Sequence, residues 1–256
     1  MSPPTFPSVT GRPLVLGHRG ASAEAPENTL AAFRRAIDLG ADGFELDVWR
    51  CGSGEAVVIH DPDATRTGQS PRRVSRTSLA LLRELDVGRW RGEPFRGERI
   101  PTLAEVLEAF PSAVVNVELK SGRVPDLGLA REVARTLRQH RAEPRVVVSS
   151  FSAALLAAFR VLAPGVAAGY LVAPGTLWQA RAAAAVLLLR PAAIHPARQL
   201  ATPARVEAWG RSGLRVLVWT VDDPADVERL AALGVAAVVS NVPGLAREAV
   251  RRATGR

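Results

Sequence analysis

Short β-branched runs alternate with alanine- and leucine-rich amphipathic segments along almost the whole chain. The runs fall at 13–18, 43–48, 56–60, 114–119, 145–150, 166–171, 192–195, 215–221 and 235–240. Helical patterns occupy 28–39, 78–85, 102–110, 126–140, 152–162, 175–186, 202–212, 223–233 and 243–253. Alternation at this spacing builds βα units around a parallel sheet. With 256 residues and no linker, the chain fits one α/β domain, and a closed (β/α)8 TIM-type barrel better than an open sheet. Two features strain that expectation. Nine strands are counted where a barrel needs eight, and the connection at 49–55 is too short for a helix.

Residues 62–100, rich in Arg, Gly, Pro and Thr, interrupt the alternation. They carry too few apolar residues for a core of their own. The expectation is therefore a single domain over 1–256, with a small insertion after the third strand at about 62–100. One cysteine, Cys51, excludes an internal disulfide and suits a reducing compartment. The N-terminus lacks a basic segment ahead of an apolar one, so no leader is expected. The most apolar stretch, 182–189, ends at Arg190-Pro191 and is too short for a transmembrane segment. A cytoplasmic protein is expected. The net charge of +8 comes from scattered arginines with no aromatic-rich basic face, which argues against a specific nucleic-acid partner. Of the 33 basic residues only Lys120 is a lysine.

In a barrel, chemistry sits at the C-terminal ends of the strands. There the sequence places His18-Arg19, Glu45 and Asp47, His60-Asp61, Glu118-Leu119-Lys120 and Trp219. Glu45 and Asp47 are two apart and share a strand face. Any one acid alone is better explained as a surface group or an arginine partner. With Glu118 they make three oxygen donors and no sulfur, a set suited to one hard divalent cation, Mg²⁺ or Ca²⁺. His18 and His60, at equivalent strand ends, fit a general acid/base pair for phosphodiester hydrolysis. Arg19 offers a planar fork for phosphate oxygens and Lys120 a point charge on the opposite side. A salt bridge from Arg19 to Glu27 is an equal alternative. Glu27-Asn28-Thr29 reads equally as a helix start and as a second layer that orients His18 or the cation ligands. Trp219 reads equally as an apolar substrate wall and as core. His140 and His195 are assigned structural places.

These stations resemble the glycerophosphodiester phosphodiesterase family, in its bacterial cytosolic form. The resemblance runs from Gly17-His18-Arg19-Gly20 through Pro26-Glu27-Asn28-Thr29, Glu45-Leu46-Asp47-Val48, His60-Asp61, Ile100-Pro101-Thr102-Leu103, Glu118-Leu119-Lys120, Ser149-Ser150-Phe151 and Trp219-Thr220-Val221 to Ser240-Asn241-Val242-Pro243. It implies a TIM-type barrel with a segment inserted after the His-Asp station. It implies His18 and His60 as the catalytic pair, Glu45, Asp47 and Glu118 as cation ligands, and Arg19 and Lys120 as phosphate contacts. The implied reaction splits a small-molecule glycerophosphodiester into sn-glycerol 3-phosphate and an alcohol, by way of a cyclic phosphate or directly. Asn241 stands where such chains commonly carry an acid. The rival readings are a lysophospholipase D-type hydrolase with an acyl groove at 62–100 and a non-catalytic glycerophosphodiester-binding barrel. The sequence leaves the alcohol, the choice of cation and the oligomeric state open.

Overall fold

The computed structural model describes residues 6–8 and 11–255. The N-terminal residues 1–5, on which the expectation of no leader partly rests, lie outside the described residues. In chain order the elements begin with β1 (Leu14–His18), α1 (Leu30–Asp38), β2 (Gly43–Arg50) and β3 (Ala56–Val58). The insertion contributes β4 (Asp63–Ala64), α2 (Thr65–Gly68), β5 (Ser70–Arg73) and α3 (Leu79–Leu82), before α4 (Leu103–Ala109). The regular βα series follows: β6 (Val114–Leu119), α5 (Leu127–Gln139), β7 (Val146–Ser150), α6 (Ala153–Leu162), β8 (Ala167–Val172) and α7 (Thr176–Leu189). It closes with β9 (Ala193–Pro196), α8 (Pro203–Arg211), β10 (Arg215–Val218), α9 (Pro224–Ala232), β11 (Ala237–Ser240) and α10 (Pro243–Thr254).

Eight of these strands, β1, β2 and β6–β11, pair in parallel, and β1 pairs with both β2 and β11. The sheet therefore closes into a (β/α)8 barrel with no free parallel edge. The ninth expected strand is not a barrel strand. β3 runs antiparallel to the far end of β2, with Val48 opposite Val58 and Arg50 opposite Ala56. The short 49–55 connection is thus a hairpin turn, and both irregularities in the sequence pattern have this one cause. The insertion follows the third strand in chain order, but lies between the second and third strands of the barrel.

Alternation along each strand sorts the side chains into two shells. Val115, Val117 and Leu119 pack outward against the helices with Phe33, Phe44 and Phe110, whereas Leu14, Leu16, Val147, Ala193, Leu217 and Val239 fill the barrel interior. Local signals set the helix starts. Thr29, Asp126, Ser152 and Asp223 each accept a backbone N–H as N-caps, and Thr102 forms a reciprocal capping box with Glu105. Helix α1 therefore begins after Thr29, two residues later than the expected range. The insertion's Ala64, Val74, Leu82, Val87 and Ile100 do cluster, with Cys51, Val57 and Ile59 of the hairpin region completing the cluster.

Candidate active site

The inward positions change character toward the C-terminal rim. Glu45 and Asp47 on β2 and Glu118 on β6 are 5%, 1% and 9% exposed, and each offers an oxygen within 4.8 Å of the others. The β2–β6 register sets Asp47 beside Glu118. Lys120 reaches this group from just past β6, with Nζ 3.0 Å from Asp47 Oδ1 and 2.8 Å from Glu118 Oε1. Arg19 approaches the other oxygen of Asp47, its Nε 3.4 Å from Oδ2, and its backbone N–H donates to Glu45 Oε2. The two cations thus flank Asp47 on opposite oxygens.

Charge and burial compete here. Burial alone raises the Asp47 carboxyl, but Lys120 and Arg19 overcome it and hold this group far below the usual carboxylate range. Glu45 is pushed well up by burial and by its acidic neighbours Asp47 and Glu118. Burial also lifts Glu118, to about 7, although Lys120 opposes the rise. Burial disfavours the Lys120 ammonium, yet Asp47 and Glu118 together hold it firmly protonated. Glu45 and Glu118 resist ionising beside the charged Asp47; a divalent cation would favour the charged form of all three, and an all-oxygen donor set suits Mg²⁺ or Ca²⁺.

His18 ends β1. Its Nδ1 lies 2.7 Å from Asn241 Oδ1, and Asn241 Nδ2 donates to Asp222 Oδ2 at 2.7 Å. Because the amide N–H₂ is spent on that carboxylate, Oδ1 faces the ring and His18 Nδ1 must carry the hydrogen. The Asp222 carboxylate meets this arrangement through Asn241, whose backbone N–H also donates to Asp222 Oδ1 at 2.7 Å. His60 does not end a barrel strand. It follows antiparallel β3, which returns the chain to the level of Asp47, where Ile59 N–H donates to the Asp47 carbonyl. The expected equivalence of the two histidines is therefore corrected: they reach one mouth from different kinds of strand. His60 Nδ1 sits 2.7 Å from Asp61 Oδ1, and Trp49 Nε1 donates to the His60 carbonyl. A carboxylate can only accept, so His60 Nδ1 also carries the hydrogen. Among the described residues, neither ring has a hydrogen-bond partner at Nε2. Burial lowers both pKa values, reinforced at His18 by Arg19 and opposed at His60 by Asp47.

Glu27 and Asn28 pair with the charged groups of the site, and Thr29 is the N-cap of α1. Asn28 donates from Nδ2 to Asp47 Oδ2 at 2.9 Å and accepts the Asp47 N–H. Glu27 accepts from Arg19 Nη1 at 2.8 Å, so the salt bridge weighed against a phosphate role is present. It also holds Arg66 of the insertion through both oxygens, at 2.6 and 2.8 Å, while Arg66 Nε donates to Asp61 Oδ2 at 2.7 Å. Arg66, Asp222 and Asn116 went unread in the sequence. The ring of Phe151 meets Trp219 edge-on at 5.7 Å. Of these four residues only Phe151 had a signal, as part of the Ser149-Ser150-Phe151 station.

One pocket joins these groups: His18, Arg19, Glu45, His60, Glu118 and Lys120 line its mouth, with Phe151 and Trp219 as an apolar wall. Trp219 is half-buried, its Nε1 donating to the His195 carbonyl at 2.7 Å. His140 lies apart, as the C-cap of α5.

Residues 18–245 match the family model of the glycerophosphoryl diester phosphodiesterase family. A glycerophosphodiester phosphodiesterase from Caldanaerobacter subterraneus subsp. tengcongensis is 37% identical over 243 residues, covering 93% of this chain and 98% of that protein. The chain belongs to the glycerophosphodiester phosphodiesterase family. Its fold is that of a phosphodiesterase from Oleispira antarctica solved in complex with the product sn-glycerol-3-phosphate. That structure has a TM-score of 0.85 and 32% identity, over 93% of this chain and 97% of that one. A glycerophosphoryl diester phosphodiesterase structure from Silicibacter pomeroyi gives a TM-score of 0.81 at 31% identity, over 97% and 95%. Like the other members, this chain is a phosphodiester hydrolase. Among the described residues, no helix is long and apolar enough to cross a membrane.

Proposed function

We propose that the chain hydrolyses small-molecule glycerophosphodiesters to sn-glycerol 3-phosphate and an alcohol, using one divalent cation and the pair His18 and His60. The observation that carries this reading is convergence: three mutually close carboxylates and two histidines with no hydrogen-bond partner at Nε2 among the described residues share one pocket. The product bound by the Oleispira antarctica phosphodiesterase supports the choice of substrate class.

Glu45, Asp47 and Glu118 are the residues that would hold the cation. The chemistry that a bound Mg²⁺ or Ca²⁺ supplies is neutralisation of charge on the phosphoryl oxygens. Arg19 and Lys120 add positive charge at the same place, where charge builds during phosphoryl transfer. Glu27 and Asn28 hold Arg19 and Asp47 in position. His18, held by a neutral amide, is suited to take a proton at Nε2 from the attacking oxygen. His60, held by the Asp61 carboxylate, is suited to carry the proton that the leaving alkoxide needs. Phe151 and Trp219 exclude water on one side. The whole chain acts as one barrel domain with its insertion on the rim, and buried, unpaired Cys51 fits a cytoplasmic location.

The test is release of glycerol 3-phosphate from glycerophosphocholine after EDTA treatment, and again after adding Mg²⁺ or Ca²⁺. Release restored by the cation supports the reading. Equal release with and without EDTA removes the cation from it, and no release under any condition removes the activity.

A further inference from the structure

Beneath the charged mouth lies a second polar layer that the proposed chemistry leaves unused. Asn116 of β6 and His195 of β9 line the same pocket as His18, Arg19, His60 and Lys120, among Leu171, Leu217 and Val239. Asn116 Nδ2 donates to Ser149 Oγ at 3.2 Å, but its Oδ1 has no partner among the described residues. His195 is 0% exposed, and neither Nδ1 nor Nε2 has a partner among the described residues. Burial keeps the ring neutral, with its pKa pushed down to about 3. A neutral imidazole presents one N–H donor and one lone pair, and leaving both idle in an apolar setting is costly.

The space around the ring is built for it. A Cβ at Gly169 on the neighbouring strand would come within 2.1 Å of His195 Nε2, so the imidazole lies against β8 only because residue 169 has no side chain. A purely structural histidine would be expected to satisfy at least one nitrogen on the protein. Here the unmet groups are a donor, a lone pair and an amide oxygen, all uncharged. An alcohol hydroxyl can accept from the ring N–H and donate its one hydrogen to an acceptor of that set; an ionised phosphate or carboxylate, with no hydrogen to give, can serve the donor alone.

We propose that Asn116 and His195 form a hydroxyl-recognition subsite on the pocket floor, which takes a free hydroxyl of the substrate's glycerol portion while the phosphate occupies the charged mouth. This rests on the glycerophosphodiester reading above. His195 is then a specificity-determining residue: its ring N–H donates to the hydroxyl oxygen, and the hydroxyl hydrogen goes to Asn116 Oδ1.

The test compares binding of sn-glycerol 3-phosphate with binding of n-propyl phosphate, which has the same carbon chain and no hydroxyl. Both are titrated calorimetrically into the cation-loaded protein. The wild type should prefer glycerol 3-phosphate, and His195→Leu should weaken that ligand about 10- to 100-fold while leaving propyl phosphate unchanged. Asn116→Ala should act in the same direction, and His195→Gln, which restores a donor and an acceptor, should recover part of the preference. If His195→Leu fails to fold, the Gln and Asn116→Ala variants carry the comparison. Equal weakening of both ligands, or no preference in the wild type, would overturn the subsite and leave the floor to a buried water or to packing. Failure of the underlying reading looks different: wild-type protein with cation would neither bind glycerol 3-phosphate nor turn over glycerophosphocholine.

Discussion

His18 and His60 share a chemical state reached by different means. Asn241 and Asp61 each pin an Nδ1 hydrogen, which leaves both Nε2 atoms without a hydrogen-bond partner among the described residues, as the proposed acid/base roles require. His18→Gln or His60→Gln should lower kcat for glycerophosphocholine by about 10²- to 10⁴-fold. The melting temperature should stay near that of the wild type, since neither ring is part of the apolar core. A loss of activity that tracked a loss of folding would contradict the assignment. His195 makes a separate prediction about acid stability. Its folded pKa is about 3 against an ordinary 6.5, so below pH 6.5 the unfolded chain binds a proton that the folded one refuses. Its contribution is full above pH 6.5 and falls on acidification at about 1.4 kcal/mol per pH unit. Urea midpoints at pH 7, 6 and 5 should show wild type losing ground to His195→Gln; parallel curves would mean that the ring is not held neutral. At this scale the sequence made the carboxylates legible, because a spacing of two on a strand places Glu45 and Asp47 on one face. The Asn241–Asp222 support of His18 was not legible, since an amide that relays a carboxylate leaves no local pattern.

Among the elements, the β2–β3 hairpin and the insertion decide how His60 is presented. Strand periodicity is the same for parallel and antiparallel neighbours, so the sequence showed that residues 56–60 form a strand but not that the chain doubles back there. The short 49–55 connection was the one clue. Arg66 ties the insertion to the barrel, spanning Glu27 and Asp61. Its partners lie 39 and 5 residues away, and in an arginine-rich chain nothing marks this arginine out. Arg66→Ala should lower kcat about tenfold, mainly by freeing Asp61 and the His60 ring it orients. Within 62–100 it should also speed limited proteolysis. Unchanged kcat would make the strap a surface feature only. Lys at 66 should restore little, because one ammonium cannot replace a fork that holds both Glu27 oxygens and Asp61.

The whole molecule is held by barrel closure and by the aromatic packing behind it. Phe44 stacks on Phe33 at 4.2 Å and meets Phe110 edge-on at 5.2 Å, on the outer face of the strand that also carries Glu45 and Asp47. Phe44→Ala should cost about 3–5 kcal/mol of stability, read as a drop in the denaturant midpoint. Gly43 begins the same strand where a Cβ would lie 1.8 Å from the Val114 carbonyl oxygen, so any side chain there would push β2 and β6 apart. Closure into eight parallel strands was legible because the βα period is regular from β6 onward, with Asp126, Ser152 and Asp223 marking helix starts. Which residues meet across the barrel was not, because it depends on register between strands far apart in sequence. The central claim is that this mouth cleaves a glycerophosphodiester on the side of the alcohol. It is tested most directly by ³¹P NMR of glycerophosphocholine incubated with the cation-loaded wild type. The phosphodiester resonance should be replaced by that of glycerol 3-phosphate, and EDTA should stop the conversion. A phosphodiester resonance that persists with both Mg²⁺ and Ca²⁺, or the appearance of phosphocholine in its place, would contradict the account.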